Sequence, residues 1–367
     1  ADDAREQMQR WIKELGYVKF TKVACEAAFR VPTAPSPKDV FAGSVWANDL
    51  PKSLAGKTFA ITGSSRGMGL DLAKKIAERG GNLILLNRSS ADSTKAREEI
   101  AALNKVGSTV LIDCDLCDFA SVRAAAAAVQ KNTKEIDALV LNAGLMAQKD
   151  IRTKDGYDKQ MQANHLSHFL LTSLLFDLLE AASAARGEAR VVSHSSGARK
   201  TPMAPLFEDS FETAWKVPAD EKEKNPCMGD GKPMAKWQRY QQSKRANLAF
   251  TYALADYAEK KGSCRVKALC AHPGATNSGL QSRTDASCWL DNLINGLAAV
   301  AGHSTADGCL GLALATVKDG VSNGDFFGPA GVTGNAVLLP SEREQGYDQE
   351  QLRMLWAKSV AATGATW

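Results

Sequence analysis

From Lys57 onward, short apolar runs alternate with longer stretches in which apolar residues recur every three or four positions. The runs Thr58–Ile61, Asn82–Leu86, Thr109–Ile112, Ala138–Leu141, Arg190–Ser193 and Val266–Ala271 read as strands. Leu70–Glu78, Ser93–Leu103, Phe119–Gln130, Met161–Ala182 and Gln241–Glu259 read as helices. Strands that are apolar throughout, each followed by a helix, predict a parallel sheet covered on both faces. Right-handed crossovers then give an α/β, doubly wound topology. Before this, Met8, Trp11, Ile12 and Leu15, and again Phe20, Val23, Ala24 and Ala27, predict one or two amphipathic helices. Pro32, Pro35 and Pro37 end them in a linker. The expected organisation is an extension over 1–45, a catalytic domain over 46–340 and a C-terminal helical tail over 341–367.

Between the first strand and the first helix stands Thr62-Gly63-Ser64-Ser65-Arg66-Gly67-Met68-Gly69. A helix N-terminus has free backbone N–H groups and partial positive charge, so a strand that turns directly into a helix through glycines offers a phosphate site. The glycines are expected to keep the turn tight and to let a pyrophosphate reach the backbone. Composition adds exclusions. A net charge of +4 spread along the chain does not point to nucleic acid, and no run of eighteen uninterrupted apolar residues predicts a transmembrane segment. Cys114 and Cys117 form a C-x-x-C without a second pair or a histidine cluster, so no metal is expected. Scattered cysteines fit reduced thiols in an intracellular compartment: the cytoplasm, or a plastid or mitochondrion if a targeting peptide preceded Ala1.

The end of the second strand carries Asn87-Arg88 where an acidic residue often binds a ribose 2′-hydroxyl. With Arg66 in the adjacent glycine turn, Arg88 supplies a second guanidinium, and two such forks suit a 2′-phosphate. The expected coenzyme is therefore NADP(H). Asp115-Leu116 follows the third strand, where a carboxylate can accept from the adenine amino group or cap the next helix. Asn142-Ala143-Gly144 ends the fourth strand with small residues that let the backbone pass close to a coenzyme. Tyr240 and Lys244 lie at i and i+4, on one helical face. A phenol with a pKa near ~10 is a poor base at neutral pH, and the neighbouring cation is expected to lower that value.

These motifs, with Ser195-Ser196 and Pro273-Gly274, occur in an order that resembles the short-chain dehydrogenase/reductase family over roughly residues 46–335. Asn164-His165-Leu166-Ser167-His168, Ala271-His272-Pro273-Gly274-Ala275-Thr276 and Gly324-Asp325-Phe326-Phe327-Gly328-Pro329 resemble its retinol-dehydrogenase-like and protochlorophyllide-reductase-like branch. The resemblance implies a Rossmann-type single domain and an NADP(H)-dependent oxidoreductase interconverting a carbonyl and an alcohol. It makes Tyr240 the general acid/base, Lys244 its partner and a holder of the ribose, Ser196 the hydrogen-bond donor to the substrate oxygen, and Asn164 the holder of a water. Gly63, Ser65, Arg66, Gly67, Met68, Gly69, Arg88, Asp115, Leu116, Asn142, Ala143, Gly144, Tyr240, Lys244, Pro273, Gly274 and Thr276 would bind the coenzyme.

The interval from Ser196 to Tyr240 is longer than in compact members, through a polar insertion over 200–237 that falls where a substrate lid hangs. It admits a bulky, apolar small-molecule substrate or a protein surface, and residues 1–50 with this insertion are the expected docking points for a partner. The alternative function is a structural or assembly subunit that keeps the fold.

Overall fold

We describe the protein from a computed structural model, over residues 39–149, 151–200, 206, 208–211, 235–263, 265–278, 280, 284, 302–343 and 347–367. The helices expected within 1–30, their proline linker and most of the 200–237 insertion lie outside the described residues.

Eight strands form one sheet: β1 (Thr58–Thr62), β2 (Asn82–Asn87), β3 (Thr109–Asp113), β4 (Ala138–Leu141), β5 (Ala189–His194), β6 (Val266–Ala271), β7 (Phe326–Pro329) and β8 (Ala336–Leu339). Their order is β3-β2-β1-β4-β5-β6-β7-β8. All neighbours are parallel except the last, where β8 runs antiparallel to β7. Thr62 registers with Leu86 on one side of β1, and Ile61 with Val140 on the other. The chain order reverses between β1 and β4, which opens a crevice at the carboxyl ends of the strands.

The period-two alternation of a strand divides the core into two layers. Ala60, Leu139, Leu141 and Val191 point to one face. There they meet α4 (Phe119–Asn132), α5 (Lys159–Arg186), α6 (Ala235–Lys261) and α8 (Gln349–Thr363). Phe59, Ile61, Val140 and Val192 point to the other. Against them pack α1 (Ala42–Asn48), α2 (Gly67–Glu78), α3 (Ala91–Leu103) and α7 (Thr305–Val317). Side-chain caps fix where helices begin: Ser90 accepts from Ser93 N, Asp118 from Ala120 N, and Asp348 from Glu350 and Gln351 N. Buried Asp307 accepts from the amides of Val40, Phe41 and Ala42 at 2.8, 2.9 and 2.7 Å, which fastens the start of α1 to α7.

Helix α5 is 28 residues long with a hydropathy of 1.3, long and apolar enough to cross a membrane, but here it forms part of the layer over the sheet. Its turn Gln162–Leu166 is a π-helix, an interruption of the helix expected over Met161–Ala182. Helix α6 begins at Ala235, six residues before the expected start. Its first residues overlap the end of the expected 200–237 insertion, and Arg239, just beyond them, is buried against Asp158, 3.1 Å away. β7 and β8 were not predicted. β7 is short and contains Gly328-Pro329, which strands tolerate near a sheet edge.

Candidate active site

A cleft of about 840 Å³ runs across the carboxyl ends of the strands. It is lined by the glycine turn (Gly63, Ser65, Arg66, Gly67, Met68, Gly69), Arg88, Asp115, Leu116, Asn142, Ala143, Gly144, Ser196, Tyr240, Lys244, Pro273, Gly274 and Thr276. Of the residues expected to act on substrate or coenzyme, all but Asn164 line it, and Asn164 stands behind its wall.

The glycines owe part of their identity to packing rather than to a ligand. A Cβ on Gly63 would lie 2.8 Å from the Ala143 Cα, and one on Gly69 would lie 2.4 Å from both Asn142 Nδ2 and the Gly63 carbonyl. Gly67, at the first position of α2, has φ +55° and a Cβ there would find only the Ser278 carbonyl at 3.3 Å. Its constraint is the left-handed backbone, which favours glycine. Asn142 Nδ2 donates to the Thr62 and Gly63 carbonyls, both at 3.0 Å, and so locks the turn to β4. Asn87 lines the cleft as well, and its largely buried side chain braces the turn, Oδ1 accepting from Ser64 N at 2.8 Å.

At the end of the cleft beside β2 and β3, where the sequence places the adenosine of a coenzyme, Arg66 and Arg88 both line the wall. The Arg66 guanidinium is paired with Asp92 at 2.9 Å, both side chains being exposed. Asp115 does not cap α4. Asp118 does, and Asp115 Oδ1 accepts from Cys117 N at 2.9 Å. Cys114 and Cys117 line this end too, with burial pushing their thiols up to about 12 and about 11. Among the described residues no group of three or more His, Cys, Asp or Glu is placed to hold a metal.

At the other end Tyr240 and Ser196 both line the cleft, and the serine side chain is near enough to the phenol to act on its charge. Ser195, the other serine of the pair, is buried and donates to the Lys244 carbonyl at 2.6 Å. Ser196 Oγ accepts from Ala198 N at 3.2 Å. Lys244 Nζ donates to the His194 carbonyl at 2.8 Å and lies 5.9 Å from the centre of the Tyr240 ring. Burial pulls the Lys244 ammonium down to about 8. The expected lowering of the phenol is not what this geometry produces. Burial raises Tyr240 above its ordinary value and the Ser196 side chain offsets part of that. Desolvation of a largely buried phenol outweighs an ammonium that is itself directed at a carbonyl.

Asn164 sits in the π turn, fully buried. Its Oδ1 accepts from Leu145 N at 2.7 Å, and its Nδ2 donates to the Leu145 carbonyl at 2.9 Å and to Ser243 Oγ at 2.8 Å. Its side-chain amide thus joins the loop after β4 to α6. Its carbonyl receives His168 Nδ1 at 3.0 Å, which leaves His168 Nε2 to accept from Thr62 Oγ1 at 3.0 Å. The residues sequence reasoning missed are His194, whose Nδ1 donates to Asn142 Oδ1 at 3.0 Å, and Ser243, which also donates to the Tyr240 carbonyl at 2.7 Å. Their adjacency to Ser195-Ser196 and their place between Tyr240 and Lys244 were the available signals.

The third wall rests on β7. A Cβ on Gly328 would meet the His272 ring at 2.5 Å, and one on Gly274 (φ +68°) would meet Pro329 Cγ at 2.7 Å. Thr276 Oγ1 donates to the Pro273 carbonyl at 3.0 Å and is closely covered by Gly308. Around Tyr240 the surface is apolar, formed by Met146, Ala147 and Trp237 with Ala198 and Leu280.

The family model described as short chain dehydrogenase matches residues 57–206. Retinol dehydrogenase 12 of Homo sapiens is 30% identical over 268 residues, covering 73% of this chain and 76% of that protein. An uncharacterised protein of Mycobacterium paratuberculosis has a solved structure that superposes with a TM-score of 0.63 at 28% identity, over 87% of this chain and 97% of that one. A short chain dehydrogenase of Escherichia coli CFT073, solved in complex with NADPH, superposes with a TM-score of 0.54 at 20% identity, over 76% and 98%.

Proposed function

Since the chain belongs to the short-chain dehydrogenase/reductase family, in its retinol-dehydrogenase-like branch, it is an oxidoreductase, and we propose that it reduces an apolar aldehyde or ketone with NADPH. The observation that carries this reading is the continuity of one cleft from the α2 N-terminus to Ser196 and Tyr240, which both line its far end. The unpaired amides of the first turn of α2 suit a pyrophosphate, and the close contacts at Gly63 and Gly69 leave no side chain in its way. Arg66 and Arg88 would hold a 2′-phosphate, Arg66 exchanging its exposed bond to Asp92 for the more highly charged group. Asp115 would receive the adenine, and Lys244 the nicotinamide-side ribose, with Pro273, Gly274 and Thr276 against the ring.

NADPH, when bound, supplies the hydride. The chain supplies the rest. Ser196 and Tyr240 both donate to the substrate oxygen, so that negative charge developing there is met by two O–H groups. A phenol raised by burial is protonated at neutral pH, which suits proton donation and hence reduction. The Lys244 ammonium, charged below about 8, favours the phenolate left behind. Met146, Trp237 and Leu280 would exclude water and accept an apolar substrate. The test is NADPH oxidation with nonanal, cinnamaldehyde and retinaldehyde, alongside coenzyme binding by fluorescence. Tyr240→Phe is expected to abolish turnover and keep binding. Full turnover by Tyr240→Phe would refute the reading.

A further inference from the structure

Three residues beyond Ser196, the buried side chain of Arg199 joins the serine's turn to a distant part of the chain. Its Nε and Nη2 donate to the two carboxylate oxygens of Glu342, at 2.9 and 2.6 Å. Its Nη1 donates to the Ser196 carbonyl at 2.9 Å, and its backbone N–H reaches the same oxygen at 3.2 Å. The guanidinium lies 4.4 Å over the Phe326 ring of β7. Glu342, just past β8, is held in turn: its amide donates to the Tyr252 hydroxyl at 3.0 Å, and Lys200 Nζ lies 3.0 Å from its Oε1. The guanidinium and the carboxylate are 1% and 7% exposed.

A buried ion pair is a poor way to gain stability, because desolvation of both charges offsets their attraction. What this pair does is geometric. The turn Gly197–Lys200 is a single 3-10 turn, a form with weak internal hydrogen bonds. Ser196 Oγ accepts from Ala198 N within that turn, and Ser196 lines the cleft, so its own proton is free to serve a group bound there. The direction of that proton therefore depends on the turn, and the turn is held by Arg199.

We propose that Arg199 and Glu342 are positioning residues that aim the Ser196 hydroxyl at the substrate oxygen, the fork between them anchoring the serine's turn to the segment after β8. This rests on the reading of Ser196 as the donor to that oxygen.

The test uses Glu342→Gln, Arg199→Lys and the paired variant Arg199→Met/Glu342→Met, each made in the full chain with and without Ser196→Ala. The paired variant removes the anchor without stranding a charge, so it keeps a folded protein to measure. NADPH affinity by fluorescence quenching, melting temperature and kcat with retinaldehyde or nonanal are read together. The expected result is NADPH affinity within about two-fold of wild type and kcat lowered about ten-fold or more, as for a misplaced reacting group. In the Ser196→Ala background the same substitutions cost nothing further, because residues that act as a unit are not additive. Unchanged kcat in the folded paired variant, or losses that multiply with Ser196→Ala, would overturn the proposal. If Tyr240→Phe retains the activity, the reading of the site fails instead.

Discussion

Replacing Asn164 by alanine removes a side chain that makes three hydrogen bonds, one buried at 2.8 Å and two half-buried at 2.7 and 2.9 Å. Ser243 loses least, since its hydroxyl still donates to the Tyr240 carbonyl. Leu145 loses both its amide and its carbonyl partner. A fully buried group left without a partner costs about 1–3 kcal/mol, and the two Leu145 groups, beside the cleft, cost less than that maximum. Asn164→Ala is therefore expected to destabilise the protein by about 1–3 kcal/mol. Urea unfolding followed by fluorescence measures this as a lower midpoint at unchanged slope. Leu145 also lines the cleft, so NADPH affinity should fall with stability. Asn164→Asp, which keeps the acceptor for Leu145 N but offers no donor to the carbonyl, should recover only part of the loss. A change below about 0.5 kcal/mol in Asn164→Ala, the range of an ordinary surface substitution, would refute the claim that this amide joins the loop to α6.

Two further outcomes follow from the charges in the cleft. The Lys244 ammonium is charged below about 8 and lost above it, so reductive kcat/KM should fall as pH rises through about 8. Tyr240, raised by burial, stays protonated over that range, so the alkaline limb belongs to Lys244. Lys244→Arg, with a guanidinium that stays charged, should move the limb upward if it turns over at all, and a limb unmoved would assign it elsewhere. Arg66→Ala/Arg88→Ala should raise KM for NADPH about ten-fold or more and leave KM for NADH nearly unchanged, since charge-assisted bonds to a phosphate are lost. Equal effects on both coenzymes would remove the 2′-phosphate assignment.

The sheet was legible because its inner strands are buried on both faces, and uninterrupted apolar runs such as Leu83–Leu86 leave little room for another reading. The cleft was legible for a related reason: its wall is built by small residues and turns whose order along the chain is distinctive. What was not legible depends on contacts between distant residues. The π turn at Gln162–Leu166 has no local signature, and Asn164 there is defined by Leu145 and Ser243. Arg199 and Arg239 read as surface charges until their partners, Glu342 and Asp158, are brought beside them. The Tyr240 phenol was misjudged because spacing shows how near a cation lies along a helix but says nothing about how much water the fold takes away.

The two sulfurs beside the adenosine end have a chemical consequence of their own. With its pKa at about 11, Cys117 is ionised in roughly one molecule in ten thousand at neutral pH, and Cys114 in fewer still. Alkylation and peroxide attack both proceed through the anion. An electrophile or an oxidant entering the cleft therefore finds two nucleophiles that are almost silent, and the cleft wall itself is spared covalent damage.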